Sequence, residues 1–228
     1  MTVSETANLP VLDASRFHGT PTERAAFIAE LRGILHDHGF FYLTGHGVPQ
    51  SLIDGLVAGA KKFFALPIEE KLKIEMVRSP HFRGYNRAGY ERTRGEQDWR
   101  EQIDFNTEGS PRAVGPDSPG WARLHGPNQW PEAVPELKDI VLDYQARVTA
   151  LGIDLLKAIA LALGQPEDAF AEVYDPQPTQ LLKLIRYPGR DVAETDQGVG
   201  AHKDGGLSPF CCKTWCPGCG CRQLTANG

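Results

Sequence analysis

The sequence predicts an α+β fold, because helical and strand-like patterns both recur along its 228 residues. Several stretches carry apolar residues at helical spacing, and the longest of them spans 135–163. Shorter apolar or alternating runs, at 40–43 and 180–187, are typical of strands. No internal repeat or low-complexity tract is present, so neither a repeat architecture nor a disordered tract is expected.

The first helix has the clearest start signal in the chain. Thr20-Pro21-Thr22-Glu23 combines an N-cap, a proline at the first helical position and a glutamate at the third, which together form a capping box. Apolar residues then recur at helical spacing until Gly39, a residue suited to end a helix. This pattern predicts a helix over 21–38, followed by a buried strand over 40–43.

The remaining elements are predicted from the same periodicities and from proline and glycine positions. In chain order they are a helix that begins after Pro49 and ends at Pro67, a short charged helix at 69–73, an irregular segment at 79–100, a strand at 103–105, a long loop at 108–130, the helix at 135–163, a strand at 180–187 and a strand at 199–202.

Composition favours a protein that binds small molecules. The net charge is -5 and 41% of the residues are hydrophobic, and no run of lysine and arginine suggests a nucleic-acid site. No stretch is apolar enough for a membrane span, and the first residues lack the features of a secretory signal. We expect a cytoplasmic protein with no nucleic-acid or membrane partner, and the sequence leaves its oligomeric state open.

The most informative motif is His202-Lys203-Asp204. One imidazole and one carboxylate at this spacing, completed by a distant histidine, form the facial triad of non-haem Fe(II) oxygenases. The tripeptide alone is a weak signal. Its meaning therefore depends on the rest of the chain.

Several segments in the right order supply that context, and with them the chain resembles the isopenicillin N synthase-like branch of the Fe(II)/2-oxoglutarate-dependent oxygenases. The resemblance covers residues from about 9 to 207. Its carriers, in addition to His202-x-Asp204, are Leu9-Pro10-Val11-Leu12-Asp13, Gly39 to Pro49, Phe63-Phe64-Ala65-Leu66-Pro67 with Lys71, Arg83-Gly84-Tyr85, Asp98-Trp99-Arg100-Glu101 and Lys183 to Pro188.

The resemblance implies the domain organisation and the chemistry. Residues 1–115 would form the non-haem dioxygenase N-terminal region, and 130–207 the first part of a double-stranded β-helix (jelly roll) that is incomplete in this chain. It also implies Fe(II) as the metal, with 2-oxoglutarate and O2 as cosubstrates, and oxidation of a small molecule. The substrate and the reaction type stay open, as does the use of 2-oxoglutarate, because some relatives do without it.

The resemblance also assigns roles to individual residues. His202 and Asp204 would bind the metal, and Tyr187 would contact the cosubstrate, although Ile185 stands where family members often have asparagine. Arg83 and Tyr85 are candidates for the substrate entrance. In contrast, the histidine of the Gly45-His46-Gly47 turn is expected to be structural.

The family's third metal ligand is a histidine well downstream of His-x-Asp, followed by an Arg-x-Ser that binds the far carboxylate of 2-oxoglutarate. No histidine follows His202 in these residues, and no Arg-x-Ser is present after it. Because two ligands hold iron weakly and the carboxylate lacks its arginine, we expect little or no turnover by this chain.

All five cysteines lie in the last segment, at Cys211, Cys212, Cys216, Cys219 and Cys221. If the codons of this segment are read one nucleotide out of register, the cysteine codons force Leu-Leu from Phe210 to Cys212, and Trp215 followed by Cys216 forces a valine. The other codons permit Thr-Leu-Leu-Leu-Gln-Asp and then Val-Pro-Gly-Leu-Arg-Val, which is similar to the family's continuation. We therefore expect residues 208–228 to be an out-of-frame translation.

The alternative interpretation makes the same tail a zinc site. Cys216-Pro217-Gly218-Cys219 has the form of a zinc knuckle, and two further cysteines would complete a tetrahedral site of four thiolates. The chain would then be a non-catalytic metal-binding or interaction protein. The crowded spacing argues against it, because a zinc ribbon joins two knuckles across a longer spacer.

Overall fold

The computed structural model describes residues 9–189, 195, 197–202 and 210. The described helices and strands, in chain order, are β1 (Val11–Asp13), α1 (Pro21–Asp37), β2 (Tyr42–Thr44), α2 (Gln50–Phe64), α3 (Ile68–Leu72), β3 (Gly84–Asn86), β4 (Arg92–Thr93), β5 (Glu96–Gln97), β6 (Glu101–Asn106), α4 (Leu137–Ala162), α5 (Ala171–Tyr174) and β7 (Leu181–Arg186). The predicted mixture of helices and strands is confirmed.

The chain divides into two compact units. Of the described residues, one unit contains 9–48, 150–175 and 210, and the other contains 49–149, 176–189, 195 and 197–202. Helix α4 contributes its first half to the second unit and its second half to the first. The predicted domain boundaries at 115, 130 and 207 stay a prediction.

The first unit is built on α1 and on the parallel pair of β1 and β2. Both hydrogen bonds of the predicted capping box form, because the Thr20 side chain accepts from the Glu23 N–H and the Glu23 carboxylate accepts from the Thr20 N–H. Gly39, just past the helix, has a φ of 77°. The predicted helix is thus confirmed, with its end at Asp37. Its buried face joins a core of Leu12, Phe17, Phe27, Leu31, Ile34, Leu155 and Ala158.

The prediction of a buried strand at 40–43 is wrong in both position and burial. The strand runs from Tyr42 to Thr44, and Tyr42 is 62% exposed. Among the described strands β2 pairs only with β1, over three residues. A short apolar run in the sequence indicates neither the register of a strand nor how many strands pair with it, so the exposure of Tyr42 could not be predicted from it.

The second unit contains an antiparallel sheet in the order β3-β6-β7. Strand β6 is central, and Glu101 pairs with Arg186 at one end while Asn106 pairs with Leu181 at the other. Its first five residues are all buried, although three of them are polar. Phe105, on this central strand, stacks on Trp130 with ring centroids 4.8 Å apart.

The segment 79–100 was predicted to be irregular, but part of it is regular. It contains β3 and a tight hairpin of β4 and β5, which Arg94 and Gly95 join with φ angles of 55° and 89°. Two positive φ values in a two-residue loop are typical of a type I′ turn. Strands of two or three residues are too short to show a period in the sequence, which explains why they were not predicted.

The two longest predicted helices of this region are confirmed. Helix α2 ends at Phe64, three residues before Pro67, and α4 ends just before Gly164, which has a φ of 72°. An added Cβ at Gly59 would lie 2.9 Å from Leu137 Cδ1, so a side chain larger than hydrogen would force Leu137 to move.

Candidate metal site

The candidate site is organised around the carboxylate of Asp98, which is 0% exposed and lies just before β6. Its Oδ1 accepts hydrogen bonds from Gln197 Nε2 at 2.9 Å and from the Gly200 N–H at 3.1 Å. Its Oδ2 accepts from Thr93 Oγ1 at 2.7 Å and lies 3.4 Å from Arg100. Both oxygens of this buried carboxylate are therefore satisfied.

The segment that carries His202 is held by these contacts rather than by strand pairing. The Trp99 N–H donates to the Gln197 carbonyl at 2.7 Å, and the Gly200 N–H goes to the Asp98 side chain. The predicted strand at 199–202 is wrong, because the described residues 197–202 have no strand geometry. The Gly200 N–H donates to the Asp98 carboxylate and not to the backbone of a neighbouring strand.

His202 is oriented by its own segment. Its Nδ1 lies 2.8 Å from the Gly200 carbonyl oxygen, and since a carbonyl only accepts, Nδ1 carries the proton in this hydrogen bond. In the neutral imidazole the lone pair, through which histidine binds metal ions, then belongs to Nε2. His202 is exposed. The residue thus fits the predicted role of an iron ligand.

The second predicted ligand, Asp204, and the five cysteines lie outside the described residues. Within the residues that the structure describes, no group of three histidine, cysteine, aspartate or glutamate side chains could hold a metal ion. The ligand pair of His202 and Asp204 stays a prediction.

Tyr187, the predicted cosubstrate contact, lies beside the segment that carries His202. An added Cβ at Gly198 would be 3.1 Å from Tyr187 Cδ1, so the ring packs against that backbone. The structure therefore places the two predicted residues on adjacent parts of one unit.

Arg83 is only 2% exposed and lies under the loop that follows β6. Its Nη1 donates to the Thr107 carbonyl at 2.9 Å and to the Gly126 carbonyl, and its Nη2 donates to the Leu124 carbonyl at 2.6 Å. Burial lowers the pKa of this guanidinium below its usual range. These contacts favour a structural role over the predicted place at the substrate entrance, and that place stays a prediction.

Tyr85 is also buried, with 1% of its surface exposed. Its hydroxyl donates to Glu101 Oε2 at 2.6 Å. Burial, and then the hydrogen bond to this carboxylate, raise the pKa of Tyr85 well above its usual range. The phenol consequently stays protonated and serves as a donor inside the unit.

Glu101 and Asp98 belong to a segment that carries the family resemblance, but the sequence assigned neither of them a role. Glu101 also accepts from Lys71 and from Arg186, each at 2.8 Å, so three donors converge on one buried carboxylate. The buried Asp104 on the same strand pairs with Lys183, and burial raises its pKa. The sequence signal that could have indicated these buried ion pairs is the presence of acidic residues in a strand that also carries apolar residues.

His46 is in a local turn in the first unit, where its Nδ1 accepts a hydrogen bond from the Val48 N–H at 3.1 Å. Gly45 and Gly47 on either side both have positive φ angles, 60° and 71°. This geometry agrees with the structural role predicted for His46.

Comparisons with known proteins agree with this fold. Residues 9–133 match the family model described as non-haem dioxygenase in morphine synthesis N-terminal. A 2OG-Fe(II) oxygenase family protein from Caulobacter crescentus is similar at 27% identity and a TM-score of 0.64, over 80% of this chain and 57% of that one. A full-length Neurospora crassa protein solved with alpha-KG is similar at 25% identity and a TM-score of 0.64, over 82% of this chain and 56% of that one. These neighbours define the class as 2-oxoglutarate-Fe(II) oxygenases with the double-stranded β-helix fold.

Curated relatives are closer in sequence. A 2-oxoglutarate-dependent dioxygenase of Dothideomycetidae sp. is 41% identical over 89% of this chain and 55% of its own length. A homoarginine-6-hydroxylase of Arabidopsis thaliana is 35% identical over 88% of this chain and 63% of its own length. The chain belongs to the non-haem, 2-oxoglutarate-dependent dioxygenase family, and it spans between about half and two thirds of the length of these relatives.

The cofactors predicted for the family are confirmed by the same comparisons. A relative from Emericella nidulans is named a 2-oxoglutarate-Fe(II) type oxidoreductase, and it is 32% identical over 86% of this chain. The Neurospora crassa neighbour is solved with alpha-KG bound. Fe(II), 2-oxoglutarate and O2 are therefore the cofactor set of this family.

Among the described residues, no helix is long and apolar enough to cross a membrane.

Proposed function

We propose that this chain carries two of the three protein ligands of an Fe(II) site, His202 and Asp204, in an oxygenase that oxidises a small molecule with 2-oxoglutarate. The observation that carries the proposal is the Nδ1 hydrogen bond of His202 to the Gly200 carbonyl. Metal-binding histidines almost always donate their other nitrogen to such an acceptor. The spacing of Asp204 then supplies the carboxylate that Fe(II) prefers beside imidazole.

Tyr187 is proposed to contact 2-oxoglutarate. Its ring lies against Gly198, four residues before His202 in the same unit, and it directly follows β7. A phenol hydroxyl donates a hydrogen bond to a carboxylate. The bound metal would supply activation of O2, whereas the chain itself holds the metal, orients the imidazole and positions the cosubstrate.

The substrate is proposed to be a small polar molecule, as the names of similar proteins suggest. The Arabidopsis thaliana relative is named for homoarginine, and one structure of the Neurospora crassa protein contains thymine. L-Homoarginine and thymine are therefore the first compounds to assay, with 2-oxoglutarate consumption as the readout.

Metal binding tests the ligand pair directly. Co(II) is titrated into the 228-residue chain, and the visible absorption of bound Co(II) is compared with that of His202→Ala and Asp204→Ala. The control is the exposed neighbouring pair of α1, in which His36 Nδ1 lies 2.7 Å from Asp37 Oδ1. Each ligand variant is expected to weaken binding about tenfold or more, while His36→Ala leaves it unchanged. Equal binding by all variants would exclude the pair as ligands.

The cysteine tail offers a different metal site, and metal content separates the two. If purified protein contains stoichiometric zinc that is lost with residues 208–228, the tail is a zinc module. Our proposal is that the tail is an out-of-frame translation and binds no zinc. Sequencing the gene across codons 205–228 from independent material tests this origin, and an unbroken frame with no downstream His or Arg-x-Ser in the alternative frame contradicts it.

We also propose that a polypeptide of these 228 residues turns over 2-oxoglutarate slowly. It supplies no histidine after His202 and no Arg-x-Ser there for the far carboxylate of 2-oxoglutarate. Turnover with Fe(II) and ascorbate is compared between this polypeptide and one continued in the alternative frame after Leu207. Equal rates would show that the missing groups are not needed.

A further inference from the structure

We propose that Asp98 is the positioning residue for His202, and that it acts through the backbone of Gly200. The inference rests on the proposed function of His202 as a metal ligand. It adds a residue that is 104 positions earlier in the chain (202 minus 98) and is not itself a proposed ligand. Three links connect the two residues, from the carboxylate to the peptide and then to the imidazole.

The first link is the immobilisation of Asp98 itself. It is fully buried, and Thr93 Oγ1 donates to its Oδ2 at 2.7 Å. Its own N–H donates to the Glu91 carbonyl at 2.9 Å, and its carbonyl accepts from the Gly89 N–H at 3.1 Å. Asp98 therefore belongs to the framework around the β4–β5 hairpin, and its Oδ1 has a fixed position.

The second link is the hold of this oxygen on the segment 197–200. Oδ1 accepts from Gln197 Nε2 and from the Gly200 N–H, and the neighbouring Trp99 N–H donates to the Gln197 carbonyl. Gly200 is pressed onto the same framework, because an added Cβ would lie 2.7 Å from both Cβ and Cγ2 of Thr93. Thr93 is β-branched and cannot easily turn away. The Gly200 N–H and Cα are thus held from two sides, by Asp98 and by Thr93.

The third link is the orientation of the imidazole by Gly200. The N–H of Gly200 is bound to Asp98 and its carbonyl accepts from His202 Nδ1 at 2.8 Å. These two groups belong to successive peptide units that meet at the Gly200 Cα, so a shift of the N–H and Cα would move the carbonyl as well and weaken its hydrogen bond to Nδ1. Asp98 therefore orients the ring through Gly200 and favours the tautomer that carries its proton on Nδ1.

The test uses the 228-residue chain without metal and reads the tautomer of His202 by 15N NMR at alkaline pH. His202→Asn identifies the signal. In the wild type the Nδ1–H tautomer should dominate. Asp98→Ala should convert His202 to a mixture of tautomers, and Asp98→Asn should restore the wild-type signal, because its amide oxygen can still accept from Gly200 and Gln197.

Asp104→Ala is the matched control. Asp104 is equally buried in the same unit but bonds to Lys183 and Gln102, which lie outside the segment 197–202. The substitution should lower the melting temperature and leave the His202 tautomer unchanged. If Asp98→Ala keeps the wild-type tautomer, or if Asp104→Ala changes it as much, the positioning role is wrong. Should Asp98→Ala fail to fold, Gly200→Ala tests the same link, since its Cβ displaces the peptide from Thr93.

A second arm measures Co(II) affinity of the same variants. Loss of a group that orients a metal-binding histidine typically weakens the metal about 10–100-fold, so Asp98→Ala should bind Co(II) at least about tenfold more weakly and Asp98→Asn should recover most of the affinity. If wild type and His202→Ala bind Co(II) alike, the ligand proposal fails, whereas the tautomer measurement still decides whether Asp98 orients His202. Wild-type Co(II) affinity in Asp98→Ala would overturn the inference.

Discussion

Lys71 and Glu101 form an ion pair inside the second unit, with 2.8 Å between Nζ and Oε2 and side chains that are only 10% and 5% exposed. The Tyr85 hydroxyl donates to the same oxygen, and Arg186 donates to the other one. Lys71 also lies 5.4 Å from the centre of the Tyr85 ring. The carboxylate is therefore the centre of a network that joins α3, β3, β6 and β7.

Glu101→Gln should lower the free energy of unfolding by about 3–5 kcal/mol, because it leaves the Lys71 ammonium buried without a counter-charge. Urea unfolding followed by circular dichroism measures the loss. Adding Lys71→Met to this variant should recover part of it, since the uncompensated charge is then removed.

The control is Glu136→Gln, which removes the counter-charge of Lys62 on the surface, where the two side chains are 47% and 55% exposed. An exposed pair contributes little, so the urea midpoint should hardly move. Equal losses in Glu101→Gln and Glu136→Gln would show that burial does not set the strength of the Lys71 pair.

Tyr85→Phe should lower the free energy of unfolding by about 1.5–3 kcal/mol at neutral pH, because it removes a hydrogen bond to a charged acceptor. It should also change the pH dependence. The pKa of Tyr85 is raised in the folded protein, so above pH of about 10 the unfolded chain loses this proton first and stability falls as pH rises. The wild type should therefore lose stability in this range more steeply than Tyr85→Phe.

Tyr90→Phe is the matched control for this measurement, since Tyr90 is 61% exposed. Its stability should follow the wild-type curve at every pH. If Tyr85→Phe and the wild type have the same slope above pH of about 10, then Tyr85 does not hold its proton in the folded state.

Arg83→Lys should destabilise the protein by about 2 kcal/mol or more, because the single Nζ of lysine cannot reach all three carbonyls that Nη1 and Nη2 of the guanidinium bind. Thermal unfolding of Arg83→Lys is compared with that of Arg78→Lys, which changes an exposed residue. If Arg83→Lys leaves the melting temperature unchanged but raises the KM for the substrate, the residue belongs to the substrate entrance instead.

Thr20→Ala should lower the free energy of unfolding by about 1 kcal/mol, because the Glu23 N–H loses its capping acceptor. Thr22→Ala changes the same residue type two positions later, inside the first turn of α1, and removes no cap. Urea unfolding should separate the two variants. A loss in Thr22→Ala as large as in Thr20→Ala would mean that the effect comes from the methyl and hydroxyl groups and not from the cap.

Local signals predicted the parts of the fold that local interactions build. The cap at Thr20 and the end at Gly39 bracket α1 because every hydrogen bond involved lies within a few residues. The His-x-Asp motif and the order of segments identified the family for a similar reason, since adjacent residues carry the motif.

The contacts that shape the candidate site could not be predicted in this way. Asp98 and Gly200 are 102 residues apart, and Glu101 and Arg186 are 85 apart, so no pattern along the chain reports that they meet. The strand predicted at 199–202 failed for the same reason, because the partner of the Gly200 amide is a distant side chain. The burial of Arg83 could not be predicted from the sequence either, since its partners are backbone carbonyls that any residue could supply.

The pairing of β6 with β7 sets an order of events during synthesis. The buried acids Glu101 and Asp104 meet their partners Arg186 and Lys183 only after 85 and 79 further residues have been added. At about 5–20 residues per second, this delay lasts several seconds. Glu101 already has Lys71 and Tyr85, which are synthesised before it, whereas Asp104 lacks its cationic partner until Lys183 is added. The ion pair that offsets the burial of Asp104 on the central strand therefore requires that β7 has been synthesised.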